Sequence, residues 1–215
     1  MKRPELIIFD LDGTLLDTLE SIATSYNKAL ISCGYPPHPV EDFLKIIGDG
    51  ARVAAQRCLP KDRQEEPEIV RCVELFQKNY ELLWHTAVPY PGIEKLLAEL
   101  QYEQKLGVLS NKKDDYTKLC IEHFFPNIFQ KVLGHGPGVR HKPDPGGANK
   151  LVFDLKASKE STWLVGDTAT DMKTASASGI IGIGALWGFR ERNELVSSGA
   201  KKVVDKPLQI LELFH

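Results

Sequence analysis

Cysteine is scarce in this chain. Cys33, Cys58, Cys72 and Cys120 are the only four in 215 residues, and no pair has Cys-x-x-Cys spacing. That spacing serves thiolate zinc sites and dithiol redox motifs, so both are disfavoured. Cys33 and Cys120 fall on apolar stripes of expected helices, where a reduced thiol behaves as a small buried hydrophobe. Basic charge is not in excess: 27 Lys and Arg stand against 29 Asp and Glu, a formal net charge of -2. Such a balance gives no field for nucleic acid or an anionic membrane surface. The longest apolar runs fall far short of the roughly 20 residues a membrane helix needs. Residues 1–9 lack the apolar stretch of a signal peptide. A cytoplasmic protein is expected. Internal repeats and low-complexity segments are also missing. Hydrophobic residues make up 42% of the chain, enough for one large domain or two unequal ones.

What is present begins with Leu6-Ile7-Ile8-Phe9, followed by Asp10-Leu11-Asp12-Gly13-Thr14. Four large apolar residues in a row read as a buried strand of a parallel sheet. The strand delivers two carboxylates at its C-terminal end, where open α/β sheets build their sites. Gly13 allows a tight turn, and Thr14 with its neighbouring N–H groups can face a phosphate. Two adjacent acids repel as anions unless a cation or a proton intervenes. Either state suits one Asp as nucleophile and the other as acid/base. The plain alternative is a strand ending in an Asp-Gly turn.

Helical spacing then takes over at Leu19, Ile22, Ala23, Tyr26, Leu30 and Cys33, stopping at Gly34 and Pro36-Pro37. It returns at Phe43, Leu44 and Ile47, breaks at Gly48-Asp49-Gly50, and resumes through Val53, Ala54 and Cys58. Ile69, Val70, Val73, Phe76, Tyr80 and Leu83 mark a further long helix. Pro89-Tyr90-Pro91-Gly92 is a stiff connector that starts a helix with Ile93, Leu96, Leu97 and Leu100 on one face. Strands at 106–109, 132–133, 163–165, 180–183 and 203–204 alternate with helices from there on. That alternation predicts a doubly wound parallel α/β sheet. The predicted core is residues 1–17 with 88–215. Residues 18–87 form a helical insertion leaving the first strand's C-terminal end, where it can act as a lid.

Three later segments are expected on the same rim. Ser110-Asn111 follows a strand and can donate to phosphate oxygens, or simply cap the next helix. Lys142-Pro143-Asp144-Pro145 holds a lysine on a stiffened backbone, where it can meet carboxylates and phosphate, or lie in solvent. Gly166-Asp167-Thr168-Ala169-Thr170-Asp171 repeats the pattern of strand, turn and acids. Asp10, Asp12 and Asp167 could supply the oxygen ligands of a hard cation such as Mg²⁺, although N-capping by Asp167 is the common alternative. Gly146-Gly147 weakens a helix start and leaves the Lys142 loop less stiff. His135 and His141, six apart, could suggest a metal site but read better as a flexible surface loop.

The order Asp10-Leu-Asp12-Gly-Thr14, Ser110-Asn111, Lys142-Pro143, Gly166-Asp167-x-x-x-Asp171 resembles the haloacid dehalogenase superfamily of phosphatases over essentially the whole chain. The insertion resembles that superfamily's subclass I cap. The resemblance implies that Asp10 attacks phosphorus to form an aspartyl-phosphate. It implies that Asp12 protonates the leaving oxygen and then activates water. Ser110 and the Asn111 N–H would bind the phosphoryl group, and Lys142 would neutralise charge. Mg²⁺ would be held by Asp10, the Asp12 carbonyl and Asp167, with Asp171 assisting. Charge neutralisation and positioning are what phosphoryl transfer requires. Asp12 argues against dehalogenation, which needs no acid there.

The cap carries the substrate information. Ile47-Gly48-Asp49-Gly50-Ala51-Arg52 and the Pro89–Gly92 connector resemble phosphoglycolate phosphatases. Gly50 can bring backbone close to a ligand, and Arg52 could reach a second anion such as a carboxylate. A plain interhelical turn with Arg52 in solvent is the alternative. The expected substrate is thus a small phosphorylated metabolite, most simply 2-phosphoglycolate, taken by a monomer or weak homodimer. A pyrophosphatase, nucleotidase, sugar-phosphate phosphatase, phosphomutase or silent scaffold remain open.

Overall fold

Four successive large apolar residues offer water no polar face, so both sides of the strand must be covered. The computed structural model describes residues 1–214 and places Leu6–Phe9 in β1 with all four residues fully buried. In chain order there follow β2 (Leu16–Asp17), α1 (Leu19–Ser32), α2 (Phe43–Ile46), α3 (Ala51–Cys58), α4 (Glu66–Glu81), β3 (Val88–Pro89) and α5 (Ile93–Leu100). Next come β4 (Lys105–Lys113), α6 (Asp114–Phe124), β5 (Lys131–His135), α7 (Gly146–Asp154), β6 (Thr162–Gly166), α8 (Ala169–Ser178) and β7 (Ile181–Ala185). The chain closes with α9 (Arg192–Ser197), β8 (Lys202–Val204) and α10 (Gln209–Glu212).

One six-stranded sheet runs in the order β5-β4-β1-β6-β7-β8 with every pair parallel. The fold is therefore the doubly wound α/β sheet that the strand–helix alternation predicts. The order grows outward from β1 in both directions, so β1 and β6 flank the switch point where such sheets open a crevice. Phe9 pairs with Val108 on one side and Val165 on the other, which brings the ends of β1 and β6 level while β4 runs on beside them. Alternation across the sheet sends Leu6 and Ile8 into one buried cluster with Leu109, Leu133, Leu151, Val152 and Leu164.

The chain divides into two units, Met1–Leu16 with Pro89–His215, and Asp17–Val88. The second is helical. Tyr26 of α1 stacks on Phe76 of α4 with ring centroids 4.0 Å apart, and Phe76 stacks on Tyr80 at 5.4 Å. The Tyr26 hydroxyl donates to the Ala51 carbonyl at 2.7 Å, so this buried ring keeps its polar tip satisfied. Among the described residues no helix is long and apolar enough to cross a membrane.

Several local expectations need correction. β4 does not stop at Leu109 but continues through Ser110-Asn111 to Lys113, because a register shift against β5 after Leu109 lets the strand bend and continue. Helix α7 begins on Gly146 itself, so the glycine pair does not delay it. Residues 136–139 form a turn rather than a loose loop, closed by reciprocal main-chain hydrogen bonds of Gly136 and Val139. The His135 and His141 rings stack at 3.4 Å. Cys33 is half-buried, while the other three are buried, and none of the four forms a disulfide among the described residues.

Gly134 in β5 lies against the start of α6. Its N–H donates to Asp114 Oδ1 at 2.9 Å, and a Cβ there would come within 2.5 Å of Asp114 Cα and Thr117 Oγ1. Backbone cannot yield as a side-chain tip can. Gly134→Ala is expected to destabilise the protein by about 1–3 kcal/mol, read from the urea midpoint at unchanged m-value.

Candidate active site

The end of β1 presents Asp10, which is only 7% exposed. The Leu11 N–H donates to its Oδ1 at 2.7 Å, and Lys142 Nζ meets the same oxygen at 2.7 Å. Among the described residues no donor contacts Asp10 Oδ2. The chain then turns sharply, with the Leu11 carbonyl accepting from Leu15 and Leu16 N–H groups. Gly13 occupies this turn at φ 83°, and a Cβ there would collide with the Asp167 carboxylate. Glycine therefore serves both the turn and the approach of a second acid.

That second acid arrives from β6. Asp167 is fully buried; its Oδ1 accepts from Thr14 Oγ1 at 2.9 Å and its Oδ2 from the Phe189 N–H at 2.8 Å. Thr168 caps α8 in a reciprocal capping box with Asp171. Asp171 Oδ2 accepts from Thr168 N–H and Oγ1, and Asp171 Oδ1 from Lys142 Nζ at 2.6 Å. Asp10, Asp167 and Asp171 each bring one carboxylate oxygen within 4.8 Å of the others.

Lys142 is the cation among them, 4% exposed and bound to both Asp10 and Asp171. Asn111 holds its main chain: Lys142 N–H donates to Asn111 Oδ1 at 2.7 Å, and Asn111 Nδ2 donates to the Lys142 carbonyl at 3.3 Å. The stiffness doubted from Gly146-Gly147 is thus supplied from β4. Burial works against the charged lysine, but Asp10 and Asp171 outweigh it and hold the ammonium above the ordinary lysine range. Burial pushes the Asp10 carboxyl well above the usual carboxylate range; Lys142 opposes this, and Asp171 and Asp167 add to it. Burial and the Asp171 charge push Asp167 up to about 7, against its Phe189, Thr14 and Lys142 partners. One lysine cannot neutralise three buried carboxylates.

Ser110 is buried at the same rim, and its Oγ accepts from the Lys112 N–H at 3.1 Å, keeping its own proton to donate. Two expectations change in detail. The Thr14 hydroxyl, placed by sequence toward a phosphate, is directed at Asp167, and the Asn111 amide at Lys142. Both side chains face groups that other loops bring in, which local sequence does not reveal.

Sequence reading missed three further contributors. Lys112 Nζ lies 2.6 and 2.7 Å from the two Asp12 oxygens. Trp187 Nε1 donates to the Thr14 carbonyl at 2.9 Å, and Phe189 N–H binds Asp167, so the loop after β7 braces both acid-bearing turns. No motif marks them, although Lys112 directly follows Ser110-Asn111.

In the helical unit, Gly50 precedes α3 at φ 90° and its carbonyl accepts from Ala54 N–H. Arg52 is exposed and grips Glu66 with both guanidinium nitrogens, Nη1 to Oε1 at 2.7 Å and Nη2 to Oε2. This pairing raises the Arg52 pKa and lowers that of Glu66.

Comparison with known proteins follows the same lines. A family model described as haloacid dehalogenase-like hydrolase matches residues 7–185. Phosphoglycolate phosphatase of Aquifex aeolicus is 31% identical, over 89% of each chain. Phosphoglycolate phosphatase of Vibrio cholerae is 29% identical, over 99% of this chain and 98% of the relative. A crystal structure from Lactobacillus delbrueckii subsp. bulgaricus, provisionally named a phosphoglycolate phosphatase, superposes with a TM-score of 0.92 at 29% identity, covering 98% of each chain.

The raised Asp167 pKa has a consequence for stability. Between the ordinary carboxyl value of 3.8 and about 7, the folded state binds more protons than the unfolded one. Stability contributed by this group is present below 3.8 and is lost as pH rises through 7. In chelator-treated protein, Tm is expected to fall by roughly 5–10 °C from pH 5 to pH 8. Asp167→Asn should shrink that fall. Millimolar Mg²⁺ should raise Tm more at pH 8 than at pH 5, as scanning calorimetry would record.

Proposed function

Because this chain belongs to the haloacid dehalogenase-like hydrolase family and is a phosphatase, we propose that it hydrolyses 2-phosphoglycolate in the cytoplasm with Mg²⁺ as cofactor. The observation that carries the chemistry is Asp10. It is buried, oriented through Oδ1 by Lys142 and the Leu11 N–H, and has no protein donor on Oδ2 among the described residues. In this reading Oδ2 attacks phosphorus. The phosphorus–oxygen bond to the ester breaks as the bond to Oδ2 forms, and Asp12 gives its proton to the departing oxygen. Asp12 then takes a proton from water as that water attacks the aspartyl-phosphate and frees Asp10. Ser110 Oγ and nearby backbone N–H groups hold the phosphoryl oxygens, and Lys142 offsets their charge.

The donor set suits a hard divalent cation: carboxylate oxygens only, crowded beyond what one lysine neutralises. Asp10 and Asp167 would hold it with the Asp12 carbonyl. Bound there, it supplies electrostatic stabilisation of the transferring phosphoryl group. Asp171 Oδ1 accepts from Lys142 Nζ at 2.6 Å, so in this reading Asp171 orients the lysine.

The substrate proposal draws on the named relatives and on Arg52. A guanidinium that grips the Glu66 carboxylate with two nitrogens has the geometry to grip a substrate carboxylate in exchange. Phosphate release should be measured across 2-phosphoglycolate, pyrophosphate, nucleoside monophosphates and hexose phosphates with Mg²⁺. Selective release from 2-phosphoglycolate is expected; a flat profile overturns the substrate, and dependence on a bisphosphate activator would point to a mutase. Asp10→Asn should lower kcat at least about 10³-fold with the fold intact. Arg52→Ala should raise KM for 2-phosphoglycolate about tenfold and leave that for p-nitrophenyl phosphate nearly unchanged. Equal effects on both would remove Arg52 from selectivity.

A further inference from the structure

Lys112 stands near the end of β4, within the register shift between Leu109 and Lys113, after which Lys113 pairs again with His135 of β5. Its side chain is 9% exposed, and its ammonium contacts both Asp12 oxygens, at 2.6 and 2.7 Å. The Asp12 side chain is itself only 18% exposed. An ammonium close to both oxygens of one carboxylate limits its rotation. The main chain of Lys112 is fixed too, since its N–H donates to Ser110 Oγ. One short segment thus ties the hydroxyl expected to hold the phosphoryl group to the carboxyl expected to move its proton.

We propose that Lys112 is a positioning residue for Asp12, holding the carboxyl in the orientation that delivers a proton to the leaving-group oxygen. This rests on the acid/base reading of Asp12. A proton donor displaced by a fraction of an ångström loses much of its effect. The loss falls hardest on esters whose leaving oxygen is basic and most needs the proton. A lysine that only bound phosphate would instead matter equally for every ester.

The test uses p-nitrophenyl, phenyl and p-methoxyphenyl phosphates, which present similar shapes and increasingly basic leaving groups. Log kcat/KM is plotted against leaving-group pKa for the wild type, Lys112→Met, Asp12→Asn and the double variant. Lys112→Met is expected to cost less than about threefold on p-nitrophenyl phosphate and about 10–100-fold on p-methoxyphenyl phosphate. In the Asp12→Asn background it should add no further steepness. Lys112→Gln serves if the methionine variant does not fold. An unchanged slope with a uniform loss overturns the positioning role, as does a slope that steepens again in the double variant. A wild-type slope in Asp12→Asn would overturn the acid reading itself. A steep Asp12→Asn with a flat Lys112→Met would overturn only the role of Lys112.

Discussion

Three carboxylates buried around a single ammonium form the constraint on which the rest of this structure depends. Asp10, Asp167 and Asp171 come from two adjacent strand ends and the first turn of a helix, and Lys142 sits among them. Burial penalises the Asp10 and Asp167 anions, and the Asp171 charge raises both carboxyls further. Such an arrangement survives only if surrounding groups over-determine it. Thr14, the Phe189 N–H, Thr168 and Asn111 do so, each using a hydrogen bond to hold an acid or the lysine's backbone. The excess negative charge that remains is what makes the cluster suited to a divalent cation.

The sheet explains why these groups can meet. A parallel order that grows outward from β1 leaves the ends of β1 and β6 level beside the longer β4, with their loops diverging at the switch point. The site then separates its charges. Lys142 serves Asp10 and Asp171, while Lys112 pairs with Asp12. Two acids two residues apart in the chain thereby acquire different partners and different surroundings. A nucleophile and an acid/base need such a difference.

Much of the fold was legible because local signals and global architecture agree. The Leu6–Phe9 run, the Ile93–Leu100 stripe and the repeated strand–helix alternation each state burial directly in residue type and spacing. The disagreements fall where neighbours in space override local pattern. β4 outruns its apolar stretch because the register shift lets a polar continuation stay in the strand. Gly146-Gly147 opens a helix despite weak propensity, and the segment between His135 and His141 closes on itself through main-chain bonds. Thr14 and Asn111 face protein groups that no local reading could supply.

The sequence by itself determined the fold class and the identity of the acids, hydroxyl and lysine that its motifs carry. Those properties lie in short stretches whose periodicity and turn chemistry act locally. Only the tertiary structure decided who partners whom. Lys112 and Asp12 are 100 residues apart, and Trp187 reaches Thr14 across 173. Contacts over such separations leave no periodic trace, because they depend on where the sheet places its strand ends rather than on the residues beside them.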